Sequence, residues 1–237
     1  MGVTVEHIED DRRKESLDGY FSLLTPRQRA KIEAIATDIW DPYLGSIREH
    51  VPHREEKLVF DRYHLMTHMM KVVAFVRKEE HRELRQEGRD LLTGTKYLWL
   101  YSRENLPESR REEFAVLRKK RLRTGRAWAI KESLRDLWTY QSPAWARKHF
   151  ESWYGWAIRS RLKSVKAVAR MFRKYLKNIM TFFKHRITNA VSEALNSTIQ
   201  TIKKKACGFR NREHFKIAIY FHCGGLNLLP VTHKNVG

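Results

Sequence analysis

Residues 64–186 repeat apolar side chains every three or four positions with few interruptions, and a stretch of that length and period packs as a set of α-helices rather than as a sheet. Loops are expected at 88–101 and around 142–143, where turn residues gather. Ile158, Leu162, Val165, Ala169, Phe172, Leu176 and Ile179 recur at alternating spacings of four and three, which predicts one long helix with a continuous apolar seam. Trp99, Trp128, Trp138, Trp145, Trp153 and Trp156 fall in this region. They are expected to pack a helical subdomain, with base stacking as the alternative use of the rings.

The N-terminal quarter reads differently. Residues 3–8 alternate apolar and polar like a short strand, and Leu17, Tyr20, Phe21 and Leu24 then take helical spacing, continuing past Pro26 into a second helix near 26–33. Two apolar runs follow, 34–37 and 57–60, each ending directly in an aspartate, Asp38 and Asp61. Between them Asp41-Pro42 is a helix start, so the order is strand, helix, strand, the βαβ unit of a parallel sheet. Functional groups in such sheets collect at the carboxyl ends of the strands. Both aspartates are placed there.

Charge then narrows the function. The formal net charge is +20, and residues 152–237 carry 17 Lys and Arg against 2 acids, whereas residues 1–151 carry 30 against 25. The C-terminal third is an electrostatic footprint for a polyanion. One residue beyond the apolar seam, Arg159, Lys163, Lys166, Arg170, Arg173 and Lys177 form a cationic stripe. A solvated face interleaves acids with bases, so a stripe of one sign suits phosphate contact. Between Glu151 and Glu213 the one carboxylate is Glu193, set among fifteen cations. It shares a helix face with Asn189, Asn196, Gln200 and Lys203, after Thr188 as a potential cap, with Val191, Leu195, Thr198 and Ile202 on another face. Amides and a lysine around a lone carboxylate suit a phosphodiester held beside a metal ion, and pairing of Glu193 with nearby lysines is the alternative. Phosphoryl transfer by two Mg²⁺ ions takes hard oxygen ligands from separate elements, and Asp38 and Glu193 are candidates.

At this point a family resemblance appears. ATDIWDPYLGSIREHVP, LVFDRYHL, GTKYLWLYSRENL and above all RITNAVSEALNSTIQTIKKKACGFRNREHFKIAIYFHCGG resemble the catalytic portion of bacterial insertion-sequence DDE transposases, in the branch whose RNase H-like fold is interrupted by a helical insertion. The resemblance implies that Asp38, in TDIWDPY, is the family's second acid and that Glu193, in NAVSEALN, is its final one, both ligands of Mg²⁺ or Mn²⁺. It also implies that Asp61 and His64, in DRYH, support the active site. The family's first acid lies on the first strand of its sheet, with DNA-binding modules further upstream. This chain is expected to start at the third strand, without that acid, and Asp10 and Asp11 do not stand in for it.

The expected fold is α/β and mostly helical: a partial RNase H-like core at 1–65, a helical insertion at 66–180 and a closing helical part of the core at 181–237. The expected function is that of a transposase catalytic fragment for Mg²⁺-dependent cleavage and transfer of double-stranded DNA, inactive alone. Lys203, Lys204, Lys205 and Arg210 join the stripe, Asn189 and Asn196 in holding the DNA. A non-catalytic DNA-binding remnant and a helical RNA-binding module are the alternatives. No apolar run is long enough for a membrane span and no signal sequence is legible, so the expected place is the cytoplasm, at the nucleoid, with a homo-oligomer compatible. Cys207 and Cys223 match no standard zinc spacing with His214 and His222 and are expected as two buried free thiols.

Overall fold

The computed structural model describes residues 4–187 and 190–225, with the backbone alone for 190–193. The fold is α/β and mostly helical, as expected, and it divides into two compact units.

One unit comprises residues 1–31, 41–52 and 188–237. Its helices are α1 (Lys14–Leu23), α2 (Pro26–Lys31), α3 (Asp41–His50), α13 (Ala190–Lys205) and α14 (Arg212–Cys223). Pro26 begins α2, where a missing N–H costs nothing. α1 packs against α3, with Phe21, Leu44 and Ile47 all buried, and the Phe21 ring stacks on His50 at 5.5 Å. Asp18, Glu49 and His50 converge at this contact, within 4.8 Å of one another. The space among them is taken by a cation already present, since Lys14 Nζ donates to Asp18 at 2.9 Å and to Glu49 at 2.6 Å. Residues 4–8 form no strand. Val5 N–H instead donates to the Cys223 carbonyl at 2.7 Å, so the alternating segment closes the end of α14 rather than joining a sheet. Cys223 is buried, but Cys207 lies exposed after α13, which corrects the expectation of two buried thiols.

The other unit comprises residues 32–40 and 53–187. It holds β1 (Ile35–Thr37), α4 (Arg54–Lys57), β2 (Leu58–Phe60) and then α5 (Arg62–Gln86), α6 (Lys96–Leu100), α7 (Arg111–Lys119), α8 (Arg123–Arg135), α9 (Pro143–Arg159), α10 (Lys163–Lys174), α11 (Leu176–Met180) and α12 (Phe182–His185). The strands are parallel, with Thr37 opposite Phe60. β2 is buried throughout.

α5 is the spine, and Leu65, Met69, Val72 and Val76, three and four apart, form its buried face. α8 packs along it and is capped from it. Leu122, at the N-cap of α8, has no side-chain acceptor, and Glu80 of α5 supplies one, accepting from Arg123 N–H at 2.7 Å, Thr124 N–H at 2.8 Å and the Thr124 hydroxyl at 2.6 Å. A carboxylate at the positive end of a helix is favourable twice, through the hydrogen bonds and through the dipole. Glu80→Ala leaves those buried donors unsatisfied and is expected to cost about 1–3 kcal/mol, read from urea unfolding. Glu80→Gln should recover part of it, and an unshifted midpoint for the alanine variant would show the cap to be idle.

The aromatic core of the helical part corrects the sequence reading in detail. Trp99, Trp128, Trp138 and Trp153 are buried, with Trp99 and Trp128 flanking Phe114 at 4.9 and 5.1 Å, but Trp145 and Trp156 are exposed. The buried indoles of Trp99, Trp128 and Trp153 donate to Thr95, the Tyr101 carbonyl and the Ile130 carbonyl. Residues 96–100, expected as loop, form α6. The long helix expected over 158–179 is three helices instead. Arg161 at φ +63° ends α9 in a left-handed turn, and Tyr175 separates α10 from α11. Leu162, Val165, Ala169, Phe172, Leu176 and Ile179 are nonetheless all buried, so the seam survives the breaks.

Candidate active site and basic surface

Parallel pairing brings the two strand-end aspartates to one corner. Asp61 N–H donates to the Thr37 carbonyl at 3.2 Å, extending the β1–β2 ladder by one step, and Asp38 follows Thr37 directly. Asp38 is half-buried, and its carbonyl accepts from Trp40 N–H at 2.9 Å in a tight turn. Asp61 is 4% exposed and serves as the N-cap of α5, its carboxylate accepting from Tyr63 N–H at 2.7 Å and His64 N–H at 3.3 Å. That use explains DRYH physically: the aspartate fixes the first turn of α5 at the end of β2.

His64 and His68 stand one turn apart on α5, both half-buried. Burial lowers the His68 imidazole below the ordinary histidine range, the Lys71 and His64 charges push the same way, and Asp38 opposes them. Asp38 is therefore close enough to act on His68 electrostatically, and the ring also meets Phe172 edge-on at 6.3 Å. His68 was missed in the sequence, although its spacing of four from His64 on a predicted helix was a signal for it. Glu193 belongs to the other unit. Glu193 lies in α13 with its side chain outside the described residues, and Asn189 is outside them altogether.

The cationic stripe is real over α10 and altered at its ends. Lys163, Arg170 and Arg173 are exposed and Lys166 half-buried, opposite the buried Val165, Ala169 and Phe172. Arg159 and Lys177 sit on α9 and α11, beyond the breaks, so helical spacing no longer aligns them with the rest. Arg173 is paired with Glu151 and lies over the Tyr154 ring at 5.2 Å, and Lys177 is 3.8 Å from Glu55. Lys163 and Lys166 are the informative pair. They occupy the first turns of a helix with no acid there, where the macrodipole repels cations, so their placement opposes helix stability and suits an anion brought from outside. Lys203, Lys204 and Lys205 are exposed in the last turn of α13, where the dipole favours them, and Asn196 and Arg210 are exposed as well.

Strand-end carboxylates on a parallel pair, with a basic helical flank, define an α/β class suited to polyanionic ligands. Within it, the chain belongs to the transposase family of the ISL3 DDE type, whose family model matches residues 2–219. It is similar to the transposase for insertion sequence element IS1001 of Bordetella parapertussis, 29% identical over 222 residues that make up 92% of this chain and 54% of that one. The transposase for insertion sequence element IS1557 of Mycobacterium tuberculosis is 25% identical over 145 residues, 61% of this chain and 32% of the relative. The chain thus spans about half the length, or less, of these curated relatives. No solved structure matches it. Among the described residues no helix is long and apolar enough to cross a membrane.

Proposed function

We propose that this chain is part of the catalytic region of a DNA transposase, an RNase H-like core carrying a helical insertion, in which Asp38 and Glu193 are ligands for Mg²⁺ or Mn²⁺. The observation that carries the reading is the corner where Asp38 and Asp61 end two parallel strands. The donors fit such an ion unequally. Asp38 offers a half-buried hard oxygen donor, whereas Asp61 has its carboxylate on two helix N–H groups and is a positioning residue. When bound, the ions supply an activated oxygen nucleophile and stabilise charge on the scissile phosphate.

The residues of the chain do the remaining work. Asp61 holds the start of α5, the helix that carries His64 and His68, and burial, which lowers the His68 imidazole, disfavours a charge that would compete with a cation at Asp38. Lys163, Lys166 and Arg170 hold the DNA backbone, with Lys203, Lys204, Lys205 and Arg210 on the other unit as further phosphate contacts.

The test is salt-dependent binding of duplex DNA. Replacing Lys163, Lys166 and Arg170 with Ala should weaken binding to all sequences alike and reduce the slope of log affinity against log salt by roughly one unit per lost phosphate contact. Affinity and slope both equal to those of the parent would return α10 to solvent.

A further inference from the structure

α9 has two faces of opposite character. Ala146, Phe150, Trp153 and Ala157 are buried against the core. On the far side Trp145, Lys148, Ser152, Trp156 and Arg159 recur at spacings of three, four, four and three, and every one is exposed. Trp145 is 58% and Trp156 40% exposed, although four other tryptophans of the same helical part are buried. The two indoles stand three turns apart, about 16 Å along the helix. Lys148 Nζ lies 4.9 Å from the centre of the Trp145 ring. The Arg159 guanidinium lies against Gly155, where a Cβ would sit 3.3 Å from Nη2, so a glycine one turn back, next in sequence to Trp156, lets the cation lie along the helix. The acid on α9, Glu151, is engaged by Arg173.

We infer that this face binds unpaired DNA, with Trp145 and Trp156 stacking on bases and Lys148 and Arg159 holding the phosphates between them. The inference rests on the chain being a DNA-handling protein and adds a strand-selective subsite to it. Duplex DNA hides its base faces in the stack, so exposed indoles gain nothing from it that lysine alone would not supply. Unpaired nucleotides present both the π-face and the charge, and an aromatic platform set among cations matches the two together. A second copy of the chain is the poorer occupant. A symmetric contact through this face would set the cations of one copy against those of the other, with no acid among Trp145, Lys148, Ser152, Trp156 and Arg159 to meet them.

The experiment compares three fluorescent probes with the 237-residue chain: a blunt duplex, the same duplex with a single-stranded overhang, and an oligothymidine of the overhang length. The overhang probe should bind more tightly than the blunt one. Trp145→Ala and Trp156→Ala should each weaken overhang and oligothymidine binding about tenfold, within the range known for loss of one stacked base. Blunt-duplex affinity and the salt slope should stay unchanged, and phenylalanine at both positions should restore most of the loss. Both side chains are exposed, so unchanged circular dichroism confirms that the variants fold. Equal losses on blunt and overhang probes, or none, overturn the inference. So does a loss of self-association in sedimentation velocity with DNA binding intact, which assigns the face to a second copy. Blunt-duplex binding with its salt slope reads the proposed function separately. Its absence beside retained oligothymidine binding would sink that reading and leave this one, and no binding to any probe would end both.

Discussion

Incubated with supercoiled plasmid and Mg²⁺ or Mn²⁺, the 237-residue chain is expected to leave the DNA uncut, at the same background rate as an Asp38→Ala, Glu193→Ala variant. In the proposed reading these two carboxylates are two of the three that a two-ion site requires, and Asp61, Asp11 and Asp10 have other partners. Asp61 caps α5. Asp11 accepts from Arg13 N–H and from the Ser16 hydroxyl, and Asp10 pairs with Lys216 at 3.2 Å. A site short of one bridging carboxylate loses the clamp on attacking and leaving oxygens, the source of most charge stabilisation in such displacements. Enzymes raise the rates of such reactions by factors of about a million or more, so the loss should take the rate to background. Nicking by the native chain that disappears in the double variant would show that Asp38 and Glu193 suffice together with another group of this chain.

Lys131→Ala is expected to cost about 3–5 kcal/mol, a large share of what a domain of this size has. Lys131 is 2% exposed, and its ammonium donates to the carbonyls of Leu100 at 3.2 Å and Tyr101 at 2.7 Å while standing 3.0 Å from Glu132. It therefore satisfies the orphan carbonyls at the end of α6 and neutralises a buried acid whose other oxygen accepts from Arg103 N–H at 2.8 Å. Removing it strands both. The Lys131→Met, Glu132→Gln double variant should lose less than the single alanine change, because it removes both charges and keeps an acceptor for Arg103. Burial, opposed by Glu132, holds the Lys131 ammonium below the ordinary lysine value of 10.5. The unfolded chain thus binds more protons across the interval between the two values, and stability from this group rises with pH through it. Wild type should accordingly gain on the double variant as pH is raised from 7 toward 10. A Lys131→Ala variant within 1 kcal/mol of wild type would refute the argument.

What sequence made legible was periodic or punctuated. The strand ends at Asp38 and Asp61 stood out because each apolar run stops on an aspartate, and the parallel register confirms their shared corner. The seam of α10 was legible because its buried positions keep the 3.6 period on both sides of each break. The breaks were not, since a single residue such as Arg161 at φ +63° interrupts a helix without a proline or glycine to announce it. Burial of tryptophan was predicted uniformly, yet Trp153 and Trp156, three apart in one helix, have opposite fates because the core covers only one side of α9. Glu80 and Lys131 gave no local signal at all. Their partners lie 44 and 30 positions away, at Thr124 and Tyr101, and only the packing of α5, α6 and α8 brings them together.

α5 runs 25 residues without a glycine or proline, a rod of about 37 Å pinned by Asp61 at the strand end, and both α8 and α10 pack against it. A rod with no hinge point transmits orientation as a ruler does. On the proposed reading, a DNA backbone seated on α10 therefore reaches the Asp38 corner at a fixed distance and angle, set by the length of one helix. Inserting or deleting a residue within α5 would turn the helical surface by about 100° relative to that corner, a misregistration that no side-chain substitution on either face could repair.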